Sequence, residues 1–180
     1  APHSFPDFRL YKLLQEKYEL ILERKENVYP ARTADRIRRM AHRCLGPVRN
    51  KKDLNSFEGF LSNVKKNELP YAAVVSKSRI YNKEWIDAIE LENMVQLLEI
   101  SVKSALLRKE SRGVHYREDY PFCDNKRWLK ESIVKQVNGK FEIGFREATI
   151  TMVPPPAEKL PYLKMMKKMM EMRSDTGGGH

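Results

Sequence analysis

The sequence predicts a mainly α-helical fold, a helical bundle around one long core helix with a small antiparallel β-hairpin or sheet towards the C-terminus. Three observations predict it. Apolar residues recur at three- and four-residue spacing from Phe8 to the region of Glu110. One of these patterns, KEWIDAIELENMVQLLEISVKSALLRKE, is apolar on more than one side, as befits a helix packed by at least two others. After Trp128 the period shortens to two, flanking an Asn138-Gly139 pair. Helices first and strands last is the order of an α-rich domain, not the alternation of a dinucleotide-binding α/β fold.

The first helix is expected over Phe8 to Glu26. Leu10, Leu13, Leu14, Lys17, Tyr18 and Ile21 share one face, Asp7 stands where a cap belongs, and Asn27 with Pro30 ends it. A second helix starts near Ala31 with Ile37, Met40, Ala41 and Cys44/Leu45 inward, and stops at Gly46-Pro47. It carries Arg32, Arg36, Arg38, Arg39 and Arg43, either an anion-binding face or a solvated stripe. A third runs from Asn50 to Asn67 on Leu54, Phe57, Leu61 and Val64, and Glu68 to Pro70 break it. The stretch YAAVVSKSRIYN is open between strand, loop and short helix, because apolar runs of this length have no decisive period.

Asn82 is placed to cap the core helix, and Gly113, just past its end, suits a left-handed C-terminal cap. SIVKQVNGKFEIGF alternates around Asn138-Gly139, whose two positions tolerate the positive φ of a tight hairpin turn. ATITMV continues as strand until Pro154 to Pro156 break it. The closing KLPYLKMMKKMMEMR gathers five of the eight methionines beside Lys164, Lys167, Lys168 and Arg173. It reads either as a basic amphipathic helix for a partner groove or membrane face, or as a helix covering the domain. The organisation expected is one domain over residues 1–162 and a basic Met-rich tail over 163–180.

Composition narrows the function. At 180 residues, 41% hydrophobic and 32% charged, the chain has the makeup of a folded domain rather than a disordered one. No apolar run is long enough for a membrane span, and APHSFPDF lacks the regions of a signal peptide. Two isolated cysteines, Cys44 and Cys123, point to reduced, buried thiols in a cytosol-like compartment. Four scattered histidines and no CxxC leave no metal-binding spacing. Neither GxGxxG nor GxxxxGK[ST] nor GxSxG occurs, so no catalytic, cofactor-binding or metal residue is assigned. The net charge of +10 favours an acidic partner, although the 34 basic residues are interleaved with 24 acids.

The most concentrated chemistry lies in ESRGVHYREDYP, Glu110 to Pro121. With its flanks, ELENM and RKESRGVHYREDYP before DNKRWLK, it closely resembles the C-terminal helical domain of the succinate dehydrogenase/fumarate reductase flavoprotein family. GPVRNKKDL resembles that domain's opening turn, and FEIGFREATITMVPPPAEKLPY its last strand and proline exit. The likeness runs from about Ala31 to Tyr162, with a helical extension back to Asp7. L-aspartate oxidase and adenylylsulfate reductase flavoproteins have related domains, so the resemblance does not specify a substrate.

The resemblance implies an oxidoreductase acting on CH–CH donors, with FAD and dicarboxylate chemistry on segments that have no counterpart here. The expected partners are an FAD-binding flavoprotein domain or subunit and an iron–sulfur subunit. The expected setting is the cytoplasm, at the inner face of a membrane through a complex. Within this chain, Arg112, His115, Arg117 and Asp119 are expected to form a hydrogen-bonded junction between the bundle and the flavin-binding body, because guanidinium groups make several fixed, charge-assisted hydrogen bonds at once. The alternative reading is a basic helical nucleic-acid-binding or protein-interaction module using the Arg32 to Arg43 helix and the tail, although aromatic residues are not interleaved with its basic ones.

Overall fold

The computed structural model describes residues 8–25, 28–151 and 154–176. Among them are five α-helices, α1 (Phe8–Glu23), α2 (Pro30–Cys44), α3 (Lys51–Asn67), α4 (Lys83–Leu107) and α5 (Tyr162–Thr176). Six short strands accompany them: β1 (Val48–Arg49), β2 (Tyr116–Arg117), β3 (Phe122–Asp124), β4 (Lys130–Val137), β5 (Lys140–Glu147) and β6 (Lys159–Pro161). The mainly helical class is therefore as expected. The strands form three separate pairs: β1–β2 parallel, with β3–β6 and β4–β5 antiparallel. The chain divides into two compact units, one of residues 1–40 and 59–98 and one of 41–58 and 99–180.

In the first unit, Ile21 and Leu22 of α1 pack with Val74 and Ala88, and Tyr18, Trp85 and Ile89 close over them. The Trp85 indole N–H donates to the Tyr18 carbonyl at 2.8 Å, so the polar edge of a largely apolar side chain is satisfied. This packing involves only the last turns of α1. Leu10, Leu13 and Leu14, expected on the inward face with Tyr18 and Ile21, are 55%, 63% and 40% exposed. Their spacing is amphipathic, but among the described residues nothing covers the first half of the helix. The helix also ends at Glu23, before the expected Glu26; the expected caps Asp7 and Asn27 lie outside the described residues.

Helix α2 opens with Pro30 in its first turn, where the absent N–H costs nothing. Ile37 and Cys44 are buried as expected, and Met40, Ala41 and Leu45 are half-buried. All five arginines of its outer side are exposed. Arg36 forks onto Glu68 at 2.9 and 3.2 Å, Arg38 pairs with Asp35, and Arg32 lies over the Tyr29 ring. Asn50 caps α3 by accepting from the Asp53 N–H at 2.9 Å. A single 3₁₀ turn, Leu69–Tyr71, follows α3 around Pro70. The undecided stretch after it is neither helix nor strand. Ala72, Ala73 and Val74 are buried in extended backbone, and the Glu84 carboxylate holds the N–H groups of Val75 and Ser76.

Asn82 begins α4 as expected. Its Oδ1 accepts from the Trp85 N–H at 3.1 Å, while its Nδ2 donates to the carbonyls of Ser76 and Ser78. One side chain thus starts the core helix and ties down the preceding loop. Leu91, Val95, Val102 and Ala105 are buried along α4, whereas Leu97 is 65% exposed.

In the second unit, Cys44, Leu54, Phe57, Val102, Ala105, Cys123 and Met165 are buried. Both cysteines are free thiols. Asn138 and Gly139 take φ of 50° and 74°, which closes β4 on β5 with Val137 opposite Lys140, the expected two-residue hairpin. Strand β5 ends at Glu147, so residues 148–151 do not continue it as expected; Met152 and Val153 lie outside the described residues. The Met-rich segment is a helix from Tyr162, with Met165 fully buried and Leu163 and Met170 outward.

Replacing Asn82 with Ala should destabilise the chain by about 1–2 kcal/mol, the range for removing an N-cap. Urea unfolding of the two proteins measures it. The loop Val75 to Tyr81 should lose amide-exchange protection before α3 does.

Candidate functional site

Helix α4 ends at Leu107, where its last carbonyls need donors and its dipole presents negative charge. Gly113 was expected to supply the cap. It has the left-handed φ, 56°, but spends it six residues beyond the helix, in a turn where Arg112 and His115 exchange both backbone hydrogen bonds. The cap is a side chain instead. Arg117, 1% exposed, extends its Nη1 to the Ala105 carbonyl at 2.7 Å and towards the Leu106 carbonyl at 3.5 Å. A guanidinium there completes hydrogen bonds and opposes the helix dipole together.

Arg117 is held from its other edge. Nε and Nη2 reach the two carboxylate oxygens of Asp119 at 2.7 and 2.5 Å, and the Tyr120 ring lies 5.0 Å from the guanidinium carbon. The hydrogen bond from Arg117 holds the Asp119 carboxyl below its usual range. The buried Ser111 hydroxyl bonds the Arg117 N–H and the Tyr120 carbonyl at 2.8 Å each, fixing the turn that delivers the arginine.

A second charged group sits alongside. The Glu110 side chain is fully buried and accepts from Arg108 Nη1 at 2.5 Å, from Arg112 Nε and Nη2 at 2.9 and 3.1 Å, and from the Asp124 N–H at 3.2 Å. Two cations and one backbone donor around one carboxylate explain how it tolerates burial. Arg112 continues to Asn125 Oδ1 at 2.7 Å, and Asn125 Nδ2 donates to the Pro156 carbonyl at 2.8 Å. Arg108 reaches the Trp128 and Lys130 carbonyls, and its guanidinium lies 5.7 Å from the Trp128 ring and 5.8 Å from that of Phe145. Glu110 is therefore the hub that joins the end of α4 to β3, to the segment before β6 and to the root of the hairpin.

His115 occupies a third position. Its Nδ1 lies 2.8 Å from Arg49 Nη1 and its Nε2 3.4 Å from the Arg108 carbonyl. Because guanidinium only donates, Nδ1 accepts and Nε2 carries the proton, which makes the ring a neutral tautomer. Burial, then the Arg49 charge, pushes His115 down to about 4 from its ordinary 6.5. Burial and the Arg117 charge likewise lower Arg49. Pairing of β1 with β2, Val48 opposite Tyr116 and Arg49 opposite Arg117, brings these groups together.

The four residues singled out in the sequence thus fall into three hydrogen-bonded groups: Arg117 with Asp119, Arg112 with Glu110 and Asn125, and His115 with Arg49. Sequence reasoning missed Arg49, Arg108, Glu110, Ser111 and Asn125. The signal for Glu110 was its place between two arginines at i−2 and i+2; Arg49 and Asn125 stood in the motifs GPVRNKKDL and DNKRWLK. Among the described residues no group of three or more His, Cys, Asp or Glu side chains could hold a metal, and every buried side-chain nitrogen and oxygen has a partner. The hydrogen bonds tie separate elements together. They lock a helix end, two strand pairs and a loop into one geometry.

Glu110→Gln should cost about 3–5 kcal/mol in urea unfolding, the range for breaking a buried pair, since two guanidiniums lose their countercharge. The pH dependence separates His115 from Asp119. Neutral His115 contributes its full stability above pH 6.5, and that contribution falls as pH drops from 6.5 towards 4. The contribution of Asp119, whose carboxyl is depressed, is lost only below its ordinary 3.8. His115→Gln should flatten the stability profile between pH 6.5 and 4 and leave the lower acid limb in place.

Comparison with known proteins carries this geometry to a family. The family described as fumarate reductase flavoprotein C-term matches residues 9–160. The succinate dehydrogenase flavoprotein subunit of Rickettsia conorii is 26% identical over 166 residues, which are 91% of this chain and 28% of that protein. The fumarate reductase flavoprotein subunit of Mycobacterium tuberculosis is 35% identical over 85 residues, 47% of this chain and 15% of that protein. A solved structure of E. coli quinol fumarate reductase shares the fold with a TM-score of 0.70 at 21% identity, covering 86% of this chain and 28% of that one. The chain spans little more than a quarter of the length of such relatives. With the match extending from the first turn of α1 to β6, the chain belongs to the C-terminal domain family of succinate dehydrogenase/fumarate reductase flavoproteins.

Proposed function

We propose that the chain is the non-catalytic C-terminal part of an FAD-dependent oxidoreductase of the succinate dehydrogenase/fumarate reductase type, acting on CH–CH donors. The flavin and the reacting acid are held by a further part, on the same or another polypeptide, and this part buttresses it. The family match over residues 9–160 carries the reading. The chemistry of the polar cluster supports it. Its charged groups are spent on each other and on backbone carbonyls, as a rigid support requires and as a catalytic acid–base pair does not. His115, held neutral with one ring nitrogen engaged by Arg49 and the other aimed at the Arg108 carbonyl, is a support for the loop rather than a proton carrier.

Arg112, His115, Arg117 and Asp119 act here as the junction towards the flavin-bearing part. Arg117 contributes from inside by fixing the loop. Arg112, whose side chain is 29% exposed, and Val114 at the tip of the turn, 82% exposed, are the groups available to a neighbour. The residues 1–162 are the shared domain, and 163–180 its Met-rich tail. An iron–sulfur subunit and a membrane-attached complex complete the assembly in this reading; the relatives are named as a succinate dehydrogenase flavoprotein subunit and a quinol fumarate reductase, which supports a multi-subunit setting. Among the described residues no helix is long and apolar enough to cross a membrane.

The test is isolation of the native complex through this chain. Flavin absorbance and succinate- or fumarate-dependent turnover in the complex, with a colourless and inactive 180-residue polypeptide, are the expected results. A complex without flavin, or flavin and turnover in the lone polypeptide, would sink the reading.

A further inference from the structure

Helix α1 carries more uncovered apolar surface than its place in a bundle explains. Leu10, Leu13 and Leu20 stand at i, i+3 and i+10 and are 55%, 63% and 52% exposed. Lys17, exposed and paired with Glu92 at 2.6 Å, stands between Leu13 and Leu20, so this side of the helix carries three exposed leucines interrupted by one ion pair. On its other side an open groove of about 400 Å³ lies between α1 and the start of α4, walled by Tyr11, Leu14, Tyr18, Trp85 and Ile89 with Gln15 and Glu19. A ridge beside a groove presents side chains to insert and space to receive them.

We propose that this face of α1, the ridge Leu10–Leu13–Leu20 with the adjoining groove, is the seat of the flavin-bearing part of the oxidoreductase. The inference rests on the function proposed above and adds a second contact surface, in the first unit, to the junction at Arg112 and Val114. Two observations select that occupant. The matched family is by description a C-terminal one, its match begins at residue 9 in the first turn of α1, and the relatives are more than three times longer than the matched region. What those relatives add therefore precedes the position equivalent to α1, so α1 is the element nearest in sequence to it. The character of the face agrees. It is apolar where α2 is basic and α5 mixes methionine with lysine, and a permanent domain contact is more apolar than a transient one.

The experiment is photo-crosslinking in the native complex, with a benzophenone amino acid at position 13 or 20 and a control at Val137, an exposed residue at the turn of the β4–β5 hairpin. Crosslinks from positions 13 and 20 to the flavin-bearing part, and none from 137, are expected. The variant Leu13→Glu/Leu20→Glu should weaken association with that part at least tenfold and leave the unfolding midpoint of the isolated chain unchanged, because both side chains are exposed. Crosslinks from 13 and 20 to a second copy of this chain or to another subunit, or undiminished association of the double variant, would overturn the inference while flavin in the complex still upholds the reading of function. A complex without flavin removes both.

Discussion

A helix of 25 residues ending inside a protein poses a problem of charge, and the way Arg117 solves it governs the second unit. The last carbonyls of α4 are negative, close to the interior and without intrahelical donors. A backbone cap would have satisfied them locally. A buried guanidinium does so from ten residues downstream, which obliges the intervening chain to fold back on itself. That obligation accounts for the Ser111 bonds, for the turn at Gly113 and for the pairing of β2 with β1. Glu110 then becomes necessary, because the same fold-back gathers Arg108 and Arg112 where an uncompensated positive charge would be costly. A constraint on one helix end has become the organising contact of a whole region.

The legibility of the sequence follows the range of the interactions. Asn82 and Asn138-Gly139 were readable because a cap and a two-residue turn are decided within three or four residues. The inward positions Ile37, Leu54, Phe57 and Leu61 were readable because helical period reports burial when something lies on that face. Leu10 and Leu13 show the converse. Their period is as good, yet period cannot say whether the covering partner belongs to the same stretch of chain. Gly113 was readable as a residue with positive φ but not as part of a turn, because the end of α4 is capped by Arg117, through contacts at eleven and twelve residues' separation. In the polar cluster, residue types were visible and partners were not. Glu110 was visible only as the first residue of a charged run, and the fold surrounds it with Arg108, Arg112 and the Asp124 amide.

These features together fix the geometry around the end of α4. Within the chain, burial and the Arg49 charge press His115 down to about 4. The hairpin, β4–β5, is mostly exposed and joined to the body where Arg108 lies against Trp128 and Phe145.

The two cysteines add a consequence for durability. Cys44 and Cys123 are 1% and 4% exposed, and burial pushes the Cys123 thiol up, away from the thiolate that reacts with peroxides. Sulfur that oxidants can reach lies elsewhere, on the outer side of α5, where Met170 is 64% exposed while Met165 is sealed in. Chemical ageing of this protein would therefore begin on its rim, converting an apolar edge into sulfoxide, long before it could touch the interior.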